Sequence, residues 1–242
     1  MQLARDLRVL RSLILAPATG ATHAARLNGF YRGQAEDYDD FRQRLLQGRR
    51  QMIRQATAEP GRIWVDLGAG TGANLEYTSG DLHQWQRIYL VDLCPALQEI
   101  ACRRIVRHAW RNVEVVQADA TEFVPPEGVA DLVTFSYSLT MIPDWYAALA
   151  QAVRLLRPGG RIGVADFYVS RKFPAPGGAR HSLFTRHFWP LWFSRDNVFL
   201  SADHLPYLRD RFTSETVSEQ RARLPFLPGF TVPYYVFVGR MP

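Results

Sequence analysis

The 242-residue sequence predicts a single α/β domain built on a parallel sheet with helices on both faces, and three observations lead there. Short apolar runs of strand length alternate with helical stretches through the middle of the chain. A glycine-rich turn, Gly68-Ala-Gly-Thr-Gly72, directly follows the first of those runs. No internal repeat, low-complexity tract or flexible linker breaks the chain into separate units.

From the N-terminus, Leu3, Leu7, Leu10 and Ile14 recur at helical spacing with Arg5, Arg8 and Arg11 between them. Such a basic amphipathic helix either packs its leucines on its own domain or rests on an anionic bilayer surface. Its charges interrupt the apolar run, which argues against a secretory signal. Residues 23–58 read as helical, broken near Gly29 and Gly33, and close on the turn Glu59-Pro60-Gly61. Ile63–Leu67, Arg87–Asp92, Val113–Ala118, Ala130–Ser136 and Arg161–Phe167 then read as five buried strands. Helices are expected between them over Ala73–Leu82, Pro95–Ala109 and Trp145–Leu156, the last stopped by Arg157-Pro-Gly-Gly160. Residues 170–212 break this rhythm with a run of aromatic and basic side chains and are expected to lie over the carboxyl edge of the sheet. Two strands follow, around Glu215–Arg223 and Val232–Gly239.

Composition narrows the function. A chain that is 47% hydrophobic buries enough surface to offset its ordering entropy, which excludes disorder. No run approaches the length of a membrane span. Cys94 and Cys102 fit no metal-ligand spacing and no disulfide framework, so a reducing compartment is expected and no metal site. The net charge of +6 points to an anionic partner.

In open parallel sheets, ligands bind at the carboxyl ends of the strands near the switch in strand order. Glycines at that place let the backbone turn tightly and a ligand approach closely. Gly68, Gly70 and Gly72 stand there, with Asp66 just before them. Asp92 ends the second strand, where a carboxylate can accept both hydroxyls of a ribose, and Asp119-Ala120 end the third, where an adenine edge can be read. The dinucleotide pattern is incomplete at Ala73, and no lysine serves a phosphate loop.

As a set, Asp66 to Gly72, Asp92, Asp119 and Leu156-Arg-Pro-Gly-Gly160 resemble class I S-adenosylmethionine-dependent methyltransferases. The resemblance implies a Rossmann-like, seven-stranded, mostly parallel sheet with its last strand antiparallel. It also implies S-adenosyl-L-methionine as cofactor. Gly68, Ala69, Gly70 and Gly72 would wrap the methionine portion, Asp66 would orient this loop and meet the amino group, Asp92 with Leu93 would take the ribose, and Asp119 with Ala120 the adenine. Tyr38 and Ser136 complete the expected cofactor contacts. Within one domain, the expected parts are a helical cap (1–58), a cofactor core (60–170), an acceptor lid (170–212) and terminal strands (213–242).

The acceptor is narrowed by what is missing. After the fourth strand stands Phe135-Ser-Tyr-Ser-Leu139, without the Pro-Pro-aromatic motif of nucleic-acid amino methylation and without a nucleophilic cysteine. No nucleic-acid partner is therefore expected. His23 to Arg42, Ser138 to Trp145, His181 to Phe193 and Thr231 to Arg240 resemble the N-methyltransferase of betaine-lipid synthesis. That resemblance implies three methylations of the amino group of diacylglycerylhomoserine. An aminocarboxypropyl transferase would act upstream, and the enzyme would sit peripherally on the cytoplasmic face of an anionic membrane. Phosphatidylethanolamine or another small amine is the alternative acceptor. A non-catalytic regulator that keeps the cofactor pocket, and an RNA methyltransferase, are alternatives of other kinds.

An amine attacks a sulfonium methyl only in its neutral form, so the site must favour that form or accept its proton. Aromatic faces tolerate the growing cation, and Tyr31, Tyr38, Tyr137, Trp145 and Trp189 are candidates for them. Tyr137, Tyr31 and His181 are the expected catalytic residues, with His187 a second proton acceptor. Arg180 or Arg195 could clamp a head-group carboxylate. Residues 181–193 either dip into the membrane, with Arg186 at the head groups, or pack inward as a lid.

Overall fold

The computed structural model describes residues 44–195, 197–224 and 229–242. The N-terminal basic helix and most of the helical stretch over 23–58 lie outside these residues, as do Tyr31 and Tyr38.

The chain enters on helix α1 (Arg49–Ala56) and then forms β1 (Ile63–Leu67), β2 (Arg87–Asp92), α2 (Pro95–His108), β3 (Val113–Gln117) and β4 (Ala130–Ser136). Helix α3 (Trp145–Leu155) leads directly into β5 (Leu156–Phe167), followed by α4 (Leu183–Ser194), α5 (His204–Arg211), β6 (Thr213–Arg223) and β7 (Thr231–Arg240). All seven strands share one sheet in the order β3-β2-β1-β4-β5-β7-β6. β1 to β5 pair in parallel, and β7 runs antiparallel to both its neighbours. The expected mostly parallel seven-stranded sheet is therefore present, and its order reverses between β1 and β4.

Local chemistry explains the element ends. Pro95 stands at the first turn of α2, where its missing amide costs nothing. Asp144 caps α3 by accepting the Ala147 amide at 2.9 Å. Helix α1 lies close against β5 because Gly163 carries no side chain: a Cβ there would sit 2.7 Å from Met52 Sδ. Inside the sheet, Trp64 is fully buried, and its indole donates to Thr134 Oγ1 at 2.9 Å.

Two expectations need correction. The helix expected over Ala73–Leu82 is two short 3₁₀ turns, Ala73–Tyr77 and Leu82–Gln84. Between them, Ser79 bonds Thr57 through its amide and its hydroxyl, at 3.2 and 2.9 Å, and these tertiary bonds pull the chain off a helical path. The Arg-Pro-Gly-Gly stretch is not a loop before the fifth strand but its irregular start. Leu156 already pairs with Ala130, and the register then shifts before Leu132 meets Arg161.

Candidate functional site

A cavity of about 280 Å³ opens at the carboxyl ends of the parallel strands, where the sheet order reverses. Three segments form its walls: the turn after β1 with Gly68 and Gly70, the ends of β2 and β3 with Asp92, Leu93, Asp119 and Ala120, and the segment after β4 from Tyr137 to Asp144. Val91, Leu97 and Ile142 make much of the lining apolar. The Asp92 and Asp119 carboxylates against apolar walls suit a nucleoside, whose base is flat and whose ribose offers hydroxyl donors.

The turn after β1 closes only with glycine. Gly68 has φ +72°, and a Cβ there would lie 2.4 Å from Ser138 Cβ. Ser138 in turn donates from Oγ to the Leu67 carbonyl at 2.9 Å, so the β1 turn and the post-β4 segment hold each other. The Gly70 amide donates to Asp92 Oδ2 at 2.8 Å, and the Cys94 amide to Asp92 Oδ1 at 2.8 Å. These two amides fix the plane of the Asp92 carboxylate at the rim of the cavity. Asp119 holds the Thr121 amide and hydroxyl on Oδ1, both at 2.8 Å, while its Oδ2 takes no hydrogen bond among the described residues. Arg104 on α2 donates to the Thr71 carbonyl and pairs with Glu76 at 2.7 Å, bracing the turn from outside.

Asp66 stands behind this turn rather than in the cavity. It is fully buried and accepts Thr134 Oγ1 at 2.6 Å and Asn74 Nδ2 at 2.9 Å. Asn74 passes the link on, accepting Arg49 of α1 at 3.0 and 3.3 Å. Burial pushes the Asp66 carboxyl above its usual range, against the pull of those hydrogen bonds. Its observed part is to fix the turn from below, so the expected contact to an amino group is not made by a cavity wall.

Tyr137 lines the cavity directly after β4 with φ +55°, a left-handed backbone that side-chain-bearing residues adopt at a cost. Two bonds over-determine it: its amide donates to the Ala165 carbonyl at 2.7 Å, and its phenol donates to the Gln47 carbonyl at 2.5 Å. Three residues on, Thr140 donates to buried Asp166 of β5, from Oγ1 at 2.7 Å and from its amide at 3.2 Å. Burial raises the Asp166 carboxyl to about 7. The whole post-β4 wall is thereby fastened to the sheet.

Of the expected site residues, Gly68, Gly70, Asp92, Leu93, Asp119, Ala120 and Tyr137 meet at this cavity. Ala69 and Gly72 shape the turn without lining it, and Ser136 stays in the strand with a buried Oγ that has no partner among the described residues. His181 lies elsewhere. Its Nδ1 accepts the Ser170 amide at 2.9 Å, its ring meets Tyr168, and burial lowers its pKa to about 4. Trp189 is buried in the core, and Trp145 packs edge-on against His204. Sequence reasoning missed the roles of Asn74, Arg49 and Ser138, whose importance comes from partners distant in sequence. It also passed over Met141 and Asp144 as cavity walls.

A family model described as a methyltransferase domain matches residues 31–212. A ubiquinone/menaquinone biosynthesis C-methyltransferase from Teredinibacter turnerae is 30% identical over 157 residues, covering 61% of this chain and 61% of that protein. Its counterpart from Shewanella frigidimarina is 31% identical over 123 residues, covering 49% and 48%. Each match thus spans less than two thirds of the relative's own length. Among solved structures, the N-methyltransferase NodS of Bradyrhizobium japonicum, in complex with S-adenosyl-L-homocysteine, has a TM-score of 0.61 at 16% identity over 98% of both chains. An N-methyltransferase of Haemonchus contortus, in complex with phosphomonomethylethanolamine and S-adenosylhomocysteine, has a TM-score of 0.65 at 12% identity, covering 92% of this chain and 61% of that one. At these identities the likeness is one of fold.

Proposed function

The chain belongs to the methyltransferase domain family, and from that premise we propose that it is an S-adenosyl-L-methionine-dependent enzyme that methylates the amino group of a lipid. The acceptor is diacylglycerylhomoserine, methylated three times to the trimethylhomoserine betaine lipid, and an aminocarboxypropyl transferase supplies it. One observation carries the cofactor: the glycine turn, Asp92 and Asp119 converge on a single cavity at the reversal in strand order. The nitrogen acceptor and its lipid nature are supported by the sequence resemblance along most of the chain.

S-adenosyl-L-methionine supplies an electrophilic methyl group. The chain's own residues hold and aim it. Asp92, already oriented by the Gly70 and Cys94 amides, accepts the ribose hydroxyls, and Asp119 Oδ2 accepts from the adenine amino group. Positioning is the main contribution, since aligned reactants gain about 7–11 kcal/mol over free collision. Apolar lining disfavours the ammonium form of the acceptor and so favours the attacking amine. Tyr137 offers an aromatic face to the positive charge that grows with each methyl. Asp144 lies on the same wall, whereas His181 does not line the cavity.

A second reading is favoured by the curated relatives, whose names describe carbon methylation in ubiquinone/menaquinone biosynthesis. One assay separates the readings: purified protein and methyl-labelled cofactor are given diacylglycerylhomoserine, phosphatidylethanolamine and a quinone precursor in equal competition. Label in the homoserine lipid is the expected result. Label confined to phosphatidylethanolamine moves the assignment to that lipid, and label confined to the quinone precursor replaces nitrogen by carbon.

A further inference from the structure

Helix α4 is apolar on two opposite faces. Thr185, Trp189 and Phe193, four residues apart, are buried on the inner one. On the outer one, Leu183, Phe184 and Leu191 are 68%, 61% and 69% exposed. Phe184 stacks on Phe188 with ring centroids 4.8 Å apart, which holds its ring on the surface rather than folding it inward. A surface helix ordinarily sets a polar face against its apolar one. Large apolar side chains gathered on one exposed face mark a contact surface. In sequence the helix is bracketed by two more exposed rings, Phe173 and Phe199.

The charge of this region is predominantly positive. Between residues 170 and 199 stand Arg171, Lys172, Arg180, Arg186 and Arg195, against a single acidic residue, Asp196. Arg171 is engaged with Asp203 at 2.7 Å. Arg180, Arg186 and Arg195 form no ion pair among the described residues. Exposed Arg180 and Arg195 flank the helix at its two ends and Arg186 lies half-buried along it. With exposed Leu and Phe on a helix whose other face is anchored in the core, they form the pattern of an interfacial membrane helix. No helix among the described residues is long and apolar enough to cross a membrane, so the contact is one of surface docking.

We propose that the outer face of α4 docks on an anionic lipid bilayer. Leu183, Phe184 and Leu191 enter the interfacial layer, and Arg180, Arg186 and Arg195 meet phosphate head groups. The purpose of this docking rests on the lipid acceptor proposed above, but the surface and its test do not require that acceptor.

The full chain is cosedimented with vesicles of phosphatidylcholine alone and of phosphatidylcholine mixed with phosphatidylglycerol, without cofactor and without any homoserine lipid. Expected is binding to the mixed vesicles that weakens with salt and is at least about tenfold weaker on phosphatidylcholine alone. The triple variant Leu183→Ser/Phe184→Ser/Leu191→Ser should lose at least about tenfold on mixed vesicles. Its circular dichroism and cofactor affinity should match those of the parent. The variant Arg180→Gln/Arg186→Gln/Arg195→Gln should lose the preference for anionic vesicles, and it decides alone if the apolar variant misfolds. Equal partitioning of parent and variants, or no binding by the parent, overturns the proposal. So does a concentration-dependent dimer that the apolar variant abolishes, which would assign the face to a second copy. Vesicles here contain no acceptor, so a failed methyl transfer leaves this result untouched.

Discussion

The Gly70 amide and the Asp92 carboxylate are joined at 2.8 Å, so the tip of β2 holds the turn that follows β1. Asp92 therefore shapes that turn, and in the proposed function it also receives the ribose. Asp92→Ala is expected to weaken S-adenosyl-L-methionine binding at least about 30-fold, the loss of two charge-assisted hydrogen bonds. Asp92→Asn should fall between variant and parent, since it still accepts one amide. Isothermal titration reads both, and unchanged affinity in the alanine variant would remove Asp92 from the site.

Gly68→Ala should cost several kcal/mol, because its new methyl meets Ser138 Cβ at 2.4 Å and its backbone is left-handed. Adding Ser138→Gly should restore part of the loss by clearing the clash while leaving the backbone cost of about 1–2 kcal/mol. Chemical denaturation of both variants measures this. Absence of any recovery would mean that the close approach to Ser138 is not what fixes glycine there.

Tyr137→Phe removes the phenol that donates to the Gln47 carbonyl at 2.5 Å but keeps the ring. Stability should fall by about 1 kcal/mol. Turnover should fall about tenfold while cofactor affinity changes less than about threefold, because the bond positions the acceptor wall rather than the nucleoside. Steady-state kinetics beside titration separates the two. A larger effect on cofactor affinity than on turnover would place Tyr137 with the donor.

His204 is fully shielded from solvent, neither ring nitrogen has a partner among the described residues, and burial lowers its pKa to about 4. The folded state thus binds this proton later than the unfolded chain, which titrates near 6.5. The stability this contributes is complete above pH 6.5 and is lost as pH falls toward 4. His204→Phe should retain on the order of 3 kcal/mol of what the parent loses over that interval. Acid unfolding followed by circular dichroism should shift to lower pH in the variant, and an unchanged midpoint would contradict the account.

Asp166 has the opposite sign. Burial raises its pKa to about 7 from 3.8, so its contribution is complete below pH 3.8 and is lost as pH rises through 7. Asp166→Asn should therefore gain stability relative to the parent at pH 8 and not at pH 4. Denaturant titrations at the two pH values compare them, and equal differences at both would refute the assignment.

The parallel half of the sheet was legible because its strands are short buried apolar runs bounded by turn residues, and each of Gly68, Asp92 and Asp119 sits at a strand end that topology alone brings together. The 3₁₀ break after Gly72 was not legible. It depends on Ser79 bonding Thr57, 22 residues away. That Asp66 orients the turn is legible from its place just before the glycines, but nothing local announces that Asn74 and Thr134 satisfy its carboxylate. For His181, residue type and a place in the segment His181–Phe193 do not reveal the bond from the Ser170 amide, and its ring does not line the cavity. On α4 the aromatic count was visible, but the division between inward Trp189 and outward Phe184 follows from packing.

The reversal in strand order also divides labour across the molecule. Gly68, Gly70, Asp92 and Asp119 come from the β1–β2–β3 half, whereas Tyr137, Asp144 and α4 belong to the half that begins at β4. The two halves are tied where Ser138 donates to the Leu67 carbonyl at 2.9 Å, so a change in the second half that spares this bond can reshape the acceptor wall while the glycine turn stays as it was.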